Sequence, residues 1–297
     1  MNYLLLGITI ILAAANNILL HRYSSRGETC NVFAFNAGVS VVWVIILLAA
    51  GRGVEPLSRH TMLFGILYGT MIALLLLFKM RAYGSGPVSI TALIACSSLI
   101  VPTVCGKLLW NESVTAIQTV GLVLLFVSFY LVLNLKHDAK ISRTYVLYAL
   151  ATFLCAGAGG VIMKMYARMG ESAKKNDMMV VASVAAFVIF AAMYVFDRGR
   201  QAGKCSGASP ASGKEISSSV TYILLCGITS CAYQRINLFL TGELPGTVFF
   251  PIFNGMVILL SCVAGIWAFQ EKLSKKQAVG IVVGGVSIML IGKLIAL

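Results

Sequence analysis

Polar side chains follow one face of a long apolar segment in the second half of the chain. They begin within residues 218–240 and recur at spacings of three and four residues, which places them on one face of a helix. A polar side chain exposed to lipid is costly, so such a face normally borders a cavity or another helix. The stripe consists of Gly227, Ser230, Gln234, Asn237 and Thr241. It has the hydrogen-bonding groups of a binding site for a small polar molecule.

Arg235 and Tyr233 flank this stripe. A guanidinium group binds carboxylates and phosphates through paired, charge-assisted hydrogen bonds. Arg235 therefore predicts an anionic or zwitterionic ligand, such as an amino acid, a phosphorylated sugar or a nucleotide sugar. The alternative is that Arg235, which is near the helix end, reaches the membrane interface instead. Gly227 and Ser230 also have an alternative role, because small residues let neighbouring helices pack closely.

Four further polar residues lie within or at the ends of apolar segments. Asn16 and Asn17, late in the first segment, either line a cavity or hydrogen-bond a neighbouring helix. Asn254 lies three residues after Pro251, and a proline at that position frees a backbone carbonyl at a cavity or a kink. Lys79 ends the third segment, where it is either an interfacial anchor or a ligand contact. Together with Ser230, Tyr233, Gln234, Arg235 and Asn237, these four make up the nine candidate site residues.

The residue groupings of common catalytic sites are missing from the sequence. All ten acidic residues and all three histidines fall in or beside polar connections, whereas proton relays and enzymes inside a membrane use Asp, Glu or His within the spans. The eight cysteines form no metal-binding pattern. We therefore expect a protein that is not an enzyme, that holds no metal or cofactor, and that does not strictly require a proton gradient. Glu243, at a helix boundary, is the alternative coupling residue.

The elements that carry these residues are membrane helices. Hydrophobic residues make up 59% of the chain, charged residues 11%, and the mean hydropathy is +0.91, whereas a soluble domain carries about 25% charge. About 20 apolar residues cross a bilayer as a helix. The ten predicted spans are 2–21, 32–50, 61–80, 87–109, 114–135, 143–166, 177–196, 218–240, 246–269 and 274–296. Ser97, Ser98 and Pro102 are predicted to play a part in the fourth span similar to that of Pro251 in the ninth, at a cavity or a kink. The net charge of +13 lies in the connections, where lipid headgroups rather than nucleic acid are the expected partner.

The second half of the chain repeats the first. Glu271 follows 159 residues after Glu112, and each begins the pattern E-x(5)-Q-x-V-G. Gly69 pairs with Gly227 at an offset of 158. Self-similarity at a nearly fixed offset indicates a duplicated unit. Five helices per unit invert the second unit relative to the first, so the sequence predicts two inverted five-helix repeats, residues 1–136 and 143–297, with a site near the membrane midplane.

The repeated residues have a structural interpretation of their own. Thr115-x-x-Gln118 and Ser274-x-x-Gln277 each fit a capping box, in which two side chains satisfy the N–H groups of a helix start. Glu112 comes just before the first box, where a carboxylate suits the positive end of the helix dipole. The same holds for Glu271 before the second box. We interpret both carboxylates first as caps and second as transport residues.

With this helix count, repeat and motif, the chain resembles the EamA family of the drug/metabolite transporter superfamily. The resemblance covers nearly the whole chain and implies a secondary transporter of small organic solutes. It also implies a cavity lined by helices one, three and four and by their counterparts six, eight and nine. Related small multidrug pumps use a glutamate in the first helix, and this first helix has none. The family arrangement places both termini in the cytoplasm, whereas the distribution of Lys and Arg favours the opposite orientation.

The sequence therefore predicts a multi-pass plasma-membrane protein that moves a small metabolite across the membrane. Its expected partners are that small-molecule substrate and membrane lipids, with no nucleic acid, and its expected state is a monomer or weak homodimer. The alternative function is a lipid flippase or scramblase, which would need a polar furrow open to lipid. A membrane-embedded enzyme is the third class, and it lacks the clustered acid–base residues that it would need.

Overall fold

The computed structural model describes residues 2–24, 31–51, 57–85, 94–95, 97–132, 142–169, 175–202, 213–269 and 275–291. These residues form ten α-helices and no strand, which confirms the predicted all-helical fold. The helices are α1 (Asn2–Ser24), α2 (Val32–Ala50), α3 (Arg59–Ser85), α4 (Ile100–Trp110), α5 (Ala116–Val132), α6 (Arg143–Arg168), α7 (Lys175–Ala202), α8 (Gly213–Glu243), α9 (Gly246–Phe269) and α10 (Lys275–Ile291).

Six of the described helices are long and apolar enough to cross a membrane: α1, α2, α3, α6, α7 and α8. The apolar parts of α4, α5, α9 and α10 are shorter, between 10 and 17 residues among those described. Large apolar side chains such as Leu4, Ile45, Leu147 and Val188 are exposed on the outside of the bundle. An apolar outer surface on long apolar helices is that of a multi-pass integral membrane protein.

The fourth predicted span is not one continuous helix. Within its described part, the chain makes a turn at Ser98 and Leu99 before α4 begins at Ile100. Pro102 has no N–H to donate to the Ser98 carbonyl, and that carbonyl instead accepts from Val101 N at 3.0 Å. The Ser98 hydroxyl donates to the Ala95 carbonyl at 2.6 Å. The fourth predicted span therefore contains a break at Ser98 and Leu99, beside the Ser97, Ser98 and Pro102 positions that the sequence singles out.

Local capping fixes several helix starts. Asn31 accepts hydrogen bonds from Phe33 N and Ala34 N at the start of α2. At the start of α5, Thr115 N donates to Gln118 Oε1 at 3.0 Å and Gln118 N donates to Thr115 Oγ1 at 3.3 Å. The first predicted capping box is thus confirmed. The second box includes Ser274, which lies outside the described residues.

The helices pack as antiparallel pairs. Thr61 of α3 hydrogen-bonds Tyr166 of α6 at 3.0 Å, while Phe78 and Tyr148, at the other ends of the same helices, stack with centroids 6.4 Å apart. Helices α1 and α8 pair in the same way, through Thr9 with Asn237 and Tyr23 with Tyr222. Helix α2 pairs with α7 through Asn31–Asp197 and Leu47–Asn176.

Helices α5 and α10 form the remaining antiparallel pair, and the repeated small residues lie between them. The Ser128 hydroxyl donates to the Gly280 carbonyl at 2.6 Å, and a Cβ on Gly121 would lie 3.0 Å from the Ser287 carbonyl oxygen. Gln118 Nε2 donates to the Ile291 carbonyl at 3.2 Å. These contacts confirm that the repeated Gly, Ser and Gln residues of this region build structure.

Candidate functional site

A cavity of about 400 Å³ lies at the centre of the helix bundle. Its described walls come from α1, α3, α6, α8 and α9 and from the interrupted segment at α4. These are the helices that the family resemblance led us to expect. The volume is near the lower end of the range for small-molecule sites, roughly 300–1,000 Å³.

Six of the nine sequence-predicted site residues line this cavity. Helix α8 contributes three of them at positions one and three residues apart, which fall on one face. The six residues are Asn17, Lys79, Tyr233, Gln234, Asn237 and Asn254. The structure thus brings together polar groups from α1, α3, α8 and α9.

Three predicted residues lie outside the cavity. Arg235 is exposed and is not a lining residue, because one residue turns an α-helix by about 100° and directs it away from the face of Gln234. Ser230 accepts a hydrogen bond from Trp43 Nε1 at 2.7 Å and donates to the Cys226 carbonyl, so it joins α2 and α8. Asn16 is 4% exposed and interacts with the Tyr233 hydroxyl. Arg235, Ser230 and Asn16 therefore do not line the described cavity, and Asn16 instead contacts a neighbouring helix, which is the alternative predicted for it.

Tyr68 was not predicted, yet it organises the polar wall. Gln234 Nε2 donates to the Tyr68 hydroxyl at 3.1 Å, and that hydroxyl donates to Met163 Sδ at 3.5 Å. All three residues line the cavity. A tyrosine in an apolar segment does not stand out in the sequence, because its ring is apolar. Only its position opposite Gln234 shows that its hydroxyl group belongs to the polar wall.

Two of the carboxamides in the wall are also oriented by protein partners. The Thr9 hydroxyl lies 3.1 Å from Asn237 Oδ1 and 3.0 Å from the Tyr233 carbonyl. Asn254 Nδ2 donates to the Phe250 carbonyl at 2.9 Å. A side chain whose rotamer is fixed by such a bond presents its remaining polar atom without a further entropy cost.

Aromatic rings of α9 form the apolar wall. Phe249 and Phe253 stack with centroids 5.7 Å apart and an interplanar angle of 5°, and Tyr233 of α8 lies 6.5 Å from Phe253. On the facing helix, α6, a Cβ on Gly160 would lie 3.2 Å from Phe250 and Pro102. The glycine therefore lets α6 approach α4 and α9 closely. The cavity combines a polar side on α8 with an apolar side on α9.

Among the described residues that line the cavity, Lys79 alone carries a formal charge. Lys79 lies one turn beyond Leu75, toward the C-terminal end of α3. The lining side chains at this end of the cavity are partly exposed, and that of Asn17 is exposed. At the opposite end, Tyr68, Met163 and Phe249 are at most 4% exposed. Within the described part of the chain the cavity thus opens at the Lys79 end and is closed at the other. No group of three or more His, Cys, Asp or Glu side chains in that part could hold a metal ion.

A buried ion cluster lies just beyond the closed end. Met163 lines the cavity, and Lys164 is the next residue of α6; Phe249 lines it, and Thr247 is two residues earlier in α9. Glu112 accepts hydrogen bonds from Lys164 Nζ, from Arg168 Nη2 at 3.1 Å and from Thr247 N at 3.1 Å. Glu112 was predicted to cap the helix that follows it. That prediction is wrong, because its carboxylate caps the start of α9. Glu271 lies outside the described residues.

No protein-family model matches the chain, and no curated protein matches it. A solved structure described only as "Crystal structure of protein" is similar over 99% of this chain and 96% of that chain, with a TM-score of 0.74 and 16% sequence identity. At this identity the similarity shows a shared fold alone.

Proposed function

We propose that this protein is a secondary transporter of a small organic metabolite, of the EamA type within the drug/metabolite transporter superfamily. The observation that carries the proposal is the central cavity, which is open at the Lys79 end and closed at the Glu112 end. A cavity between helices of two similar halves, closed at one end, suits a carrier that exposes one site alternately to the two sides of a membrane.

The helix pairing supports an inverted repeat as part of this proposal. If α1–α5 correspond to α6–α10, then the α1–α8 pair corresponds to α6–α3, and α1–α9 corresponds to α6–α4; all four pairs occur. The α2–α7 and α5–α10 pairs correspond to themselves. Both are antiparallel, and a two-fold rotation that exchanges antiparallel helices has its axis perpendicular to them. For membrane helices that axis lies in the membrane plane.

The cavity's chemistry supports a polar metabolite with an apolar part. Carboxamides on α8 and α9 offer neutral hydrogen-bonding groups, and the rings of Phe249 and Phe253 offer an apolar surface. An anionic or zwitterionic substrate, which was first suggested by Arg235, is now supported by Lys79 at the open end. We place the protein in the plasma membrane and assign it transport rather than catalysis.

Transport by purified protein in liposomes tests the proposal. Candidate substrates come from a thermal-shift screen of amino acids, sugar phosphates and nucleotide sugars, since a ligand that binds only the folded protein raises its melting temperature. Gln234→Leu should lower the rate of uptake about tenfold or more, because it leaves the Tyr68 hydroxyl without its donor and removes a polar contact worth roughly 1–2 kcal/mol.

Arg235→Gln is the matched control, because it changes the adjacent residue on the exposed face of the same helix. It should transport at close to the wild-type rate. Equal rates for the two variants would contradict the assignment of the cavity as the transport site. Lipid flipping is measured in the same liposomes, and flipping without solute uptake would replace the proposal with a lipid flippase.

A further inference from the structure

The Glu112 cluster, defined as Glu112, Lys164 and Arg168, joins three helices at one end of the cavity. Glu112 belongs to the connection between α4 and α5, and its two cationic partners belong to α6. The same carboxylate accepts from the backbone N–H of Thr247 at the start of α9. One side chain thus holds α4, α6 and α9, which all line the cavity, and connects the two halves of the chain.

The local backbone is shaped to place this carboxylate. Asn111 adopts a left-handed conformation, with φ 49° and ψ 34°, which reverses the chain after α4, and Glu112 N donates to the Gly106 carbonyl at 3.2 Å. A Cβ on Gly106 would lie 2.7 Å from Glu112 Oε2, and one on Gly246 would lie 2.5 Å from Lys164 Nζ. The two glycines therefore make room for the charged groups.

Lys164 and the start of α9 are buried with the carboxylate, whereas Arg168 is partly exposed. Lys164 is fully buried, and the Trp110 ring centroid lies 5.2 Å from its Nζ and 5.7 Å from Arg168 Cζ. The Thr247 hydroxyl, by contrast, is buried with no hydrogen-bond partner in the described structure. Such a group gains a partner when water reaches it, so the closed arrangement leaves one polar group that opening would satisfy.

A buried ion pair adds little stability by itself, because desolvation offsets most of the Coulomb attraction. Removing one partner is nevertheless costly, since it leaves the other charge buried and unpaired. An ion pair of this kind therefore distinguishes strongly between a closed state, in which it is dry and intact, and an open state, in which both charges are hydrated.

Resting on the proposed transport function, we propose that the Glu112 cluster is the gate at the closed end of the cavity. The pair of Glu112 and Lys164 breaks when α6 and α9 separate to open that end. In the state described by the structure, the intact cluster holds the cavity shut there while the Lys79 end is open.

Thiol modification with a bulky, polar reagent tests the gate without any substrate. Two reporter proteins are made from a form in which the native cysteines are replaced by alanine. One has Met163→Cys, next to Lys164 at the closed end, and the other keeps only Cys155, a lining residue of α6 nearer the open end. Glu112→Gln should raise the modification rate of the Met163→Cys reporter about tenfold or more. It should lower the rate at Cys155.

Three further variants show whether the change in rate comes from breaking the pair of Glu112 and Lys164. Glu112→Gln combined with Lys164→Met removes both charges, so no unpaired ammonium is buried and both rates should return toward those of the parent. Glu243→Gln is the matched control, because Glu243 is an exposed carboxylate at the end of α8 nearest the cluster, and it should change neither rate. Arg168→Gln removes only the partly exposed partner, which is 37% exposed, and should raise the Met163→Cys rate about two- to threefold.

Unchanged rates in Glu112→Gln would overturn the gate. Increased rates at both reporters would overturn it as well, because general loosening exposes both ends. If Glu112→Gln does not accumulate as folded protein, the Arg168→Gln variant decides, and unchanged rates there also reject the proposal. Because no substrate is used, this experiment tests the gate independently of the transport assay with Gln234→Leu.

Discussion

Adjacent residues of α8 have opposite surroundings. Gln234 lines the cavity and bonds Tyr68, whereas Arg235 is exposed on the other face of the helix. Arg235 is the more conspicuous residue in an apolar sequence, since a charge there is rare and costly. Its chemistry fits a ligand, but the rotation of the helix directs it away from the cavity. At this scale, the direction of a side chain decides its role.

Glu112 is also understood only from its partners. Burial raises the pKa of its carboxyl, but the hydrogen bond from Lys164 and those from the backbone of Thr247 and Gly246 outweigh burial and hold the pKa below its ordinary value. A carboxylate that is favoured in this way stabilises the folded protein whenever it is ionised. The stability of the folded protein should therefore depend on pH through the ionisation of Glu112.

The contribution of Glu112 should be complete above the ordinary glutamate pKa of about 4.3. It should disappear as the pH falls through the lower pKa of the folded state. The difference in melting temperature between the wild type and Glu112→Gln in detergent should therefore be constant from about pH 8 to pH 5. It should shrink at lower pH. A difference that persists at the lowest pH at which both proteins remain soluble would show that the carboxylate charge is not the cause.

At the scale of the helices, glycines that recur in both halves of the sequence allow neighbouring helices to approach closely. A Cβ on Gly69 of α3 would lie 2.9 Å from the backbone carbonyl carbon of Ala182 in α7, and one on Gly227 of α8 would lie 2.6 Å from Val42 in α2. Gly69 and Gly227 are repeat partners in the sequence, and α3–α7 and α8–α2 correspond under the proposed inverted repeat. Both glycines allow a close helix contact, as that proposal expects.

Gly69→Ala should destabilise the bundle, because the new methyl group meets rigid backbone and overpacking costs about 1–3 kcal/mol. Thermal unfolding in detergent measures the effect. Gly7→Ala provides the comparison, since a Cβ at that helical position would meet nothing within 4 Å. It should leave the melting temperature unchanged or raise it slightly, as alanine favours helix over glycine. Equal effects of the two substitutions would contradict the packing role of Gly69.

At the scale of the whole molecule, the described charged side chains nearest the cavity lie at its two ends. Lys79 is near the open end and the Glu112 cluster is beyond the closed end, and the lining residues between them are uncharged in the described structure. Proton-coupled carriers place a titratable Asp, Glu or His along the substrate path. This distribution suits transport that follows the substrate's own gradient or exchanges one substrate for another.

Uptake into proteoliposomes should accordingly persist without an imposed pH difference, at a constant charge state of the substrate. The rate with no gradient should remain within about threefold of the rate with one, since the described cavity lining includes no Asp, Glu or His to carry a proton. Transport that vanishes without the gradient would reject this expectation. Glu112→Gln and Glu243→Gln would then show which carboxylate carries the proton, by making uptake independent of the gradient.

The sequence alone determined the helices, their approximate ends and the repeat. These features depend on local properties: apolar length sets a span, Thr115 and Gln118 set a helix start, and Pro102 lacks the N–H that would bond the Ser98 carbonyl. It also identified six of the residues that line the cavity, because a polar side chain in an apolar helix needs a polar or enclosed environment.

Only the tertiary structure decided which way those side chains face and which distant partners they meet. Arg235 and Gln234 are adjacent polar residues in one apolar segment and are both predicted to contact a ligand, and the packing of α8 against α1, α2 and α6 gives them opposite surroundings. Tyr68 gains its role from Gln234, 166 residues away, and Glu112 gains its role from Lys164 and the start of α9. Contacts between residues far apart in the chain depend on how the helices are arranged, and local sequence patterns do not encode that arrangement.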